Sequence, residues 1–120
     1  MQGDILIWVK EAEDNLVTAK LLYENDRFKD ASFYAQQVAE KSLKAVQIKN
    51  LRSFSRIHDL VSLAQSINAP GKVVSACADL TRYYIDSRYP ITKMVNDEEA
   101  EDALGKCEGV LEWAKSTLKL

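Results

Sequence analysis

Two lysines and a glutamine follow one side of a predicted helix in the first half of the chain. Gln37, Lys41 and Lys44 recur at i, i+4 and i+7, which places one amide and two ammonium groups on one flank of a helix. Clustered ammonium groups neutralise phosphate as point charges, and the amide can add a hydrogen bond. The same spacing also suits two lysines whose stems pack beside the core and whose charged ends stay in water, balanced by Glu40. The pattern therefore predicts either an anion site or a solvated helix flank.

Three further residues could complete such a site from other parts of the chain. His58 is the sole histidine, and its ring could contact a ligand or simply hydrogen-bond a loop carbonyl. Arg88 and Tyr89 precede Pro90, which fixes the backbone and disfavours helical geometry in the residue before it. A guanidinium beside a phenol ring suits a phosphate and a base, although the same residues could form a packed turn. No set of metal-ligand spacing accompanies His58, so we expect no metal and no other cofactor.

Apolar residues at spacings of three and four predict the first two helices. The first covers about residues 4–24, and Asp30 is placed to cap a second helix that runs to about residue 50. The second helix has a broad face of small residues, consisting of Tyr34, Ala35, Val38, Ala39, Ser42, Ala45 and Val46. A face of this width exceeds what one neighbouring helix covers, which predicts a homodimer through this helix.

Caps and breaks predict three more helices after these. Ser55 is placed to cap the third helix, and Pro70 suits the first turn of the fourth. Residues 85–94 lack helical spacing and contain Pro90, which predicts a loop. Asn96 and Glu99 match a capping box that opens the fifth helix.

Four small residues in the predicted helices have packing roles. Gly105 and Gly109, four residues apart in the fifth helix, predict a close approach by a neighbouring element. Cys77 and Cys107 lie within helical patterns and not in a Cys-x-x-Cys pair, which predicts buried reduced thiols.

The buried stripe of the fourth helix is predicted to be Val73, Cys77, Leu80 and Tyr84. That of the fifth is predicted to be Ala100, Ala103, Leu104, Cys107, Val110, Leu111, Ala114 and Leu118.

The whole chain has the composition of one soluble domain over residues 1–120. It has 47% hydrophobic and 28% charged residues and a formal net charge of -2, which excludes a protein built to coat nucleic acid. No window approaches the ~18 apolar residues of a membrane span, and no basic leader precedes an apolar run. We therefore expect a cytoplasmic protein that contacts no membrane. Without alternating strand patterns, the fold class is all-α, an antiparallel up-and-down bundle of about five helices.

Three blocks of sequence together resemble the HEPN family, named for higher eukaryotes and prokaryotes nucleotide-binding. They are Ala-Gln-Gln-Val-Ala-Glu-Lys-Ser-Leu-Lys-Ala over residues 35–45, His-Asp-Leu over 58–60, and Ser-Arg-Tyr-Pro over 87–90. The resemblance implies a small helical bundle, commonly dimeric. It also implies an association with a minimal nucleotidyltransferase as a two-component or toxin–antitoxin pair, and a groove that holds a nucleotide or an RNA end.

One branch of that family consists of metal-independent ribonucleases with an Arg followed four to six residues later by His, late in the bundle. Residues 82–92 contain no histidine, and the only such spacing, Arg52 with His58, lies in an earlier segment. The resemblance therefore favours a ligand-binding or partner-binding protein without catalytic residues. The alternatives are a divergent ribonuclease that uses His58 with Arg52, Arg56 or Arg88, and a purely structural assembly subunit.

Overall fold

The computed structural model describes residues 2–51, 59–88 and 95–120, with the backbone alone at residues 2, 51 and 86–88. These residues form five helices and no strand, which confirms the all-α prediction. The helices are α1 (Gln2–Glu24), α2 (Phe28–Leu51), α3 (Leu60–Ser66), α4 (Gly71–Arg88) and α5 (Asp97–Leu118). None of them has a stretch apolar and long enough to cross a membrane.

α1 and α2 are joined by a tight turn. Asp26 adopts a left-handed conformation with φ of 60°, which an Asp tolerates better than most residues. The prediction that Asp30 caps α2 is wrong. The carbonyl of Arg27 already accepts a hydrogen bond from the amide of Ala31 at 2.9 Å, so the helix begins earlier. Asp30 lies in the first turn, where its carboxylate accepts from the Arg27 guanidinium at 2.7 Å.

α2 occupies the centre of the bundle and contacts each of the other four helices. Residues 42–48 are all buried, which is the pattern of a helix surrounded by others and not of one at a surface. The broad small-residue face is confirmed, except that Tyr34 is half-buried. Because the other helices of the same chain cover this face, the width of α2 no longer argues for a second copy. The homodimer itself stays a prediction.

α3 begins later than predicted. The Asp59 carboxylate accepts a hydrogen bond from the amide of Ser62 at 3.1 Å and caps the helix. Ser55 is therefore not the cap of α3, and it lies outside the described residues. A carboxylate at this position reaches an unpaired amide of the first turn and also interacts favourably with the positive end of the helix dipole.

α4 begins where predicted and ends later. The carbonyl of Pro70 accepts from Val73 at 2.9 Å, in the first turn. The helix continues to Arg88, so the prediction of a loop from residue 85 is wrong for its first residues. The buried stripe ends on Tyr83, which is 5% exposed, instead of the half-buried Tyr84. Tyr83 is held inside because its hydroxyl donates to Asp102 at 2.6 Å.

The capping box of α5 is confirmed. Asn96 accepts from the amide of Glu99 at 2.8 Å, and the Glu99 carboxylate accepts from the amide of Asn96 at 3.3 Å. All eight residues of the predicted α5 stripe are buried. Cys77 and Cys107 are buried free thiols, and burial raises the pKa of each to about 12.

Side-chain contacts fix the directions of the helices. Tyr83 near the end of α4 bonds Asp102 near the start of α5. α4 and α5 are thus antiparallel. Lys115 near the end of α5 donates to Glu13 of α1 at 2.9 Å. α1 and α5 are antiparallel as well, because the Tyr23 hydroxyl near the end of α1 donates to Asp97 at the start of α5.

Lys41 in α2 lies 3.9 Å from Glu11 in α1. Glu11 and Lys41 each lie fifteen residues from Asp26 in the turn, so α1 and α2 form an antiparallel pair. α2 consequently runs opposite to α4 in an antiparallel bundle, as predicted.

The two glycines of α5 do not pack closely against a neighbour, and that prediction is wrong. Both are exposed, and a Cβ built on Gly105 or Gly109 meets no described atom within 4 Å. Their spacing places both on the outer side of the helix, where no described atom lies within contact distance of an added Cβ.

Gly105→Ala should therefore stabilise the fold by about 0.5–1 kcal/mol, because it removes backbone entropy from the unfolded chain without a steric conflict. Urea denaturation measures the change. Ala103→Gly on the buried side of the same helix serves as the opposite control and should lose stability. A loss in Gly105→Ala would contradict the open space described here.

Candidate ligand-binding site

A row of polar residues follows one buried side of α2. Ser32, Gln36, Glu40, Lys44 and Gln47 are spaced four, four, four and three residues apart, so they lie above one another on a single helix face. Glu40 is half-buried and the other four are buried. We call these five residues the polar row of α2.

Lys44 is the cation of the polar row and has an unusual environment. Its side chain is 1% exposed, whereas lysines almost always reach water. Desolvation lowers the pKa of Lys44, and the nearby Glu40 carboxylate opposes that shift only in part. The ammonium group is thus held where its charge is costly, and an anion brought beside it would relieve that cost.

Gln47 lies one turn beyond Lys44 and carries an unsatisfied amide. It is 1% exposed, and within the described residues neither Nε2 nor Oε1 has a hydrogen-bond partner. The Oε1 atom of Gln36 and the Oγ atom of Ser32 lack partners in the same way. A buried polar group without a partner costs about 1–3 kcal/mol, and native proteins retain few of them. The row therefore has hydrogen-bonding capacity that the described part of the protein does not use.

The structure separates the two lysines of the sequence pattern. Lys41 is half-buried and its Nζ lies 3.9 Å from Glu11 Oε1 on α1. Lys44 instead belongs to the polar row. Gln37 is half-buried beside them on the helix flank. Of the two lysines on this flank, Lys41 therefore pairs with α1 and Lys44 is buried.

Arg88 is placed far from Lys44. Tyr84, one turn before Arg88 on α4, contacts the ring of Phe33 with centroids 5.6 Å apart. Lys44 lies eleven residues beyond Phe33, which is about 16 Å along a helix. Because α2 and α4 run in opposite directions, the Arg88 backbone continues away from Lys44. His58 and Tyr89, the other two candidate residues, lie outside the described residues.

Gln36 and Gln47 were missed by the sequence interpretation, although a signal was present. With Glu40 and Lys44 they form an i, i+4, i+8, i+11 pattern, which marks one face as clearly as the flank of Gln37, Lys41 and Lys44 does. What the sequence did not reveal is that this polar face is enclosed. Within the described ranges, no group of three or more His, Cys, Asp or Glu side chains could hold a metal ion.

The fold and the polar row define a small antiparallel helical bundle with a buried polar face on its central helix. Its family follows from comparison with known proteins. The chain belongs to the HEPN family, because the HEPN domain model matches residues 5–117.

Similar proteins match this chain over nearly its full length. TT1696 from Thermus thermophilus is 26% identical with a TM-score of 0.84, covering 93% of this chain and 96% of that one. ST0689, an archaeal HEPN homologue, is 24% identical with a TM-score of 0.80, covering 94% and 96%. The Methanocaldococcus jannaschii protein named "Putative toxin MJ1304" is 27% identical over 94% of this chain and 87% of its own length.

The burial of Lys44 generates a prediction on stability and pH. A lysine with a lowered pKa binds fewer protons in the folded than in the unfolded protein. The free-energy cost of burying its charge is therefore largest at neutral pH. This cost decreases as the pH rises from the folded pKa to the ordinary value of 10.5. Lys44→Met should stabilise the fold by about 1 kcal/mol at pH 7, because an uncharged side chain avoids the desolvation cost that exceeds the attraction of Glu40, and by less at pH 10.

Urea denaturation of both proteins at the two pH values measures this difference. Lys41→Met is the matched control, because it removes a partly exposed lysine from the same helix and should change stability little at either pH. Destabilisation by Lys44→Met, or a difference that grows with pH, would contradict the stated cause.

Proposed function

We propose that this chain is the HEPN component of a toxin–antitoxin-type pair and that it binds a nucleotide through the polar row of α2. Membership of the family and the likeness to the protein named "Putative toxin MJ1304" support the type of system. The observation that carries the binding proposal is the buried, unsatisfied amide of Gln47 one turn from the buried ammonium of Lys44.

The chemistry of these two side chains matches the two ends of a nucleotide. A glutamine amide presents a donor and an acceptor side by side, which is the arrangement that pairs with the N6 and N7 edge of adenine. An ammonium group neutralises a phosphate as a point charge. Lys44 and Gln47 are three residues apart on one helix face, where side chains are neighbours. One small ligand can therefore contact both, with its base at the unsatisfied Gln47 amide and its phosphate beside the Lys44 ammonium.

Access to this site requires movement. Both side chains are 1% exposed, so a nucleotide reaches them only after the groups that cover them open locally. Such opening reduces the association rate below the usual range for a preformed site. The closed site with unsatisfied polar atoms would then be the ligand-free state of a protein that orders around its ligand.

The other candidate residues predicted from the sequence have different roles in this proposal. Gln37 would contact the same nucleotide from the helix flank, and Lys41 would add long-range attraction for phosphate. His58 stays a candidate for a further contact with that nucleotide. The Arg88 backbone is too distant from Lys44 for one mononucleotide to bridge, but an RNA strand of several nucleotides can follow a positively charged path over such a distance. Tyr89, the next residue in the sequence, stays a candidate for stacking on a base of that strand. An RNA end would thus use both regions, whereas a mononucleotide would use only the polar row.

The partner in this proposal is a minimal nucleotidyltransferase encoded beside the chain, and the complex is intracellular. Its support is the family membership alone. The neighbouring open reading frame tests it directly. A product with a Gly-Ser motif and paired acidic residues that forms a stable complex with this chain supports the pairing, and a chain without such a neighbour contradicts it.

Calorimetric titration with AMP in EDTA tests the binding site. We expect a dissociation constant in the range of about 10–100 µM, equivalent to about 5–7 kcal/mol. Gln47→Leu and Lys44→Met should each weaken binding by about tenfold or more, since each removes one specific contact. Both variants should remain folded, because each replaces a buried polar group with an apolar one of similar size.

Lys72→Met is the matched control, because it removes a lysine that is exposed on α4. It should leave AMP binding unchanged. Failure of the natural protein to bind AMP, or equal binding by the Gln47→Leu variant, would overturn the proposal. Cleavage of a short RNA in EDTA that is lost in His58→Ala would instead establish the ribonuclease alternative.

A further inference from the structure

The polar row of α2 has unused hydrogen-bonding atoms at both of its ends. Gln47 lies at one end, and Ser32 and Gln36 lie one turn apart at the other. Ser32 and Gln36 are 0% and 7% exposed, and neither Ser32 Oγ nor Gln36 Oε1 has a hydrogen-bond partner among the described residues. A mononucleotide at Gln47 and Lys44 would leave these two buried atoms unsatisfied, at the usual cost of such groups.

Glu40 lies between Gln36 and Lys44 and is the acidic member of the row. Gln36 Nε2 donates to Glu40 Oε1 at 3.4 Å, which is longer than the usual range of about 2.7–3.2 Å. Glu40 is half-buried while the other four members are buried, so the row reaches the surface at its middle. A carboxylate repels phosphate, so a purely anionic ligand accounts for Lys44 but not for Glu40.

A ribose hydroxyl is the nucleotide group that suits Glu40. In dinucleotide-binding sites, an Asp or Glu carboxylate accepts a hydrogen bond from a ribose 2′-hydroxyl. In RNA this hydroxyl is on the carbon next to the one that carries the 3′-phosphate. A site for both groups therefore needs an acceptor beside a cation, and Glu40 and Lys44 are one turn apart on the same face.

The order of groups along the row matches two adjacent nucleotides of RNA. Between Gln36 and Gln47 the row presents an amide, a carboxylate, an ammonium group and a second amide. Two linked nucleotides present a base, a ribose hydroxyl, a phosphate and a second base in the same order. Each amide offers a donor and an acceptor, which suit the N6 and N7 edge of adenine.

The length of the row requires the two bases to be unstacked. Gln36 and Gln47 are eleven residues apart, which is about 16 Å along a helix, whereas successive bases stack about 3.4 Å apart in a duplex strand. Single-stranded RNA can hold its bases apart in this way, and proteins then read their edges by hydrogen bonds.

We propose that Gln36 and Glu40 form a second nucleoside subsite, so that the polar row holds two adjacent nucleotides of single-stranded RNA. Gln36 contacts the first base, and Glu40 accepts from the 2′-hydroxyl of the first ribose. Lys44 neutralises the phosphate that joins the two nucleotides, and Gln47 contacts the second base. The inference rests on the proposed function, which assigns the Lys44 and Gln47 contacts. Glu40 makes the row selective for RNA over DNA.

Calorimetric titration in EDTA with three adenine dinucleotides tests the ribose contact. The probes are ApA, dApA, which lacks only the first 2′-hydroxyl, and ApdA, which lacks only the second. We expect dApA to bind about tenfold more weakly than ApA, because it loses one hydrogen bond to a charged group. ApdA should bind as ApA does, since no member of the row contacts the second ribose.

Two variants assign these effects to residues. Glu40→Gln should bring the ratio of ApA to dApA affinity close to one, and its effect on phosphate attraction cancels in that ratio. Gln36→Leu should weaken ApA binding by about tenfold and lower the ratio of ApA to AMP affinity. Glu112→Gln is the matched control, because it makes the same charge change on an exposed residue of α5 and should preserve both ratios. Circular dichroism checks that each variant keeps its helices.

The outcomes separate this inference from the proposed function. Equal binding of ApA and dApA, a ratio that Glu40→Gln leaves unchanged, or full ApA affinity in Gln36→Leu would each overturn the second subsite. Loss of affinity with ApdA instead of dApA would overturn the assignment of Glu40 to the first ribose. In each of these cases, AMP binding that depends on Gln47 and Lys44 would still support the mononucleotide site. A chain that binds neither AMP nor ApA would overturn both proposals.

Discussion

The enclosure of residues 42–48 of α2 on every side is the constraint on which the rest of this structure depends. The helix contacts all four others, so each face of this segment must be compatible with an interior. Small residues such as Ala35, Ala39 and Ala45 achieve this for close helix packing. Lys44 and Gln47 do not, and they remain enclosed at a cost in free energy. A ligand-binding function would explain why the central helix keeps a buried polar face.

The polar row of α2 is, in our account, an interior site that binds a nucleotide after local opening. Lys41 connects α2 to α1 through its ion pair with Glu11. Opening of the polar row therefore depends on how α1 packs on α2.

The sequence predicted the helical architecture because periodicity and caps are local signals. The eight-residue stripe of α5 and its Asn96–Glu99 box were predicted from spacing alone and are confirmed. The start of α2 was missed because the Arg27 carbonyl, not a side chain, opens that helix. The candidate site was harder to predict. Spacing placed Lys41 and Lys44 on one flank, but only packing decides that one pairs with α1 and the other is enclosed.

The side-chain amide of Gln47 reports on the central claim most directly. In a ¹⁵N-labelled protein titrated with AMP, our account predicts that its two proton signals shift and saturate with the affinity measured by calorimetry, because Nε2 gains an acceptor that it lacks among the described residues of the free protein. Unchanged Gln47 signals during binding, with shifts confined to exposed residues, would contradict the assignment of the polar row as the nucleotide site.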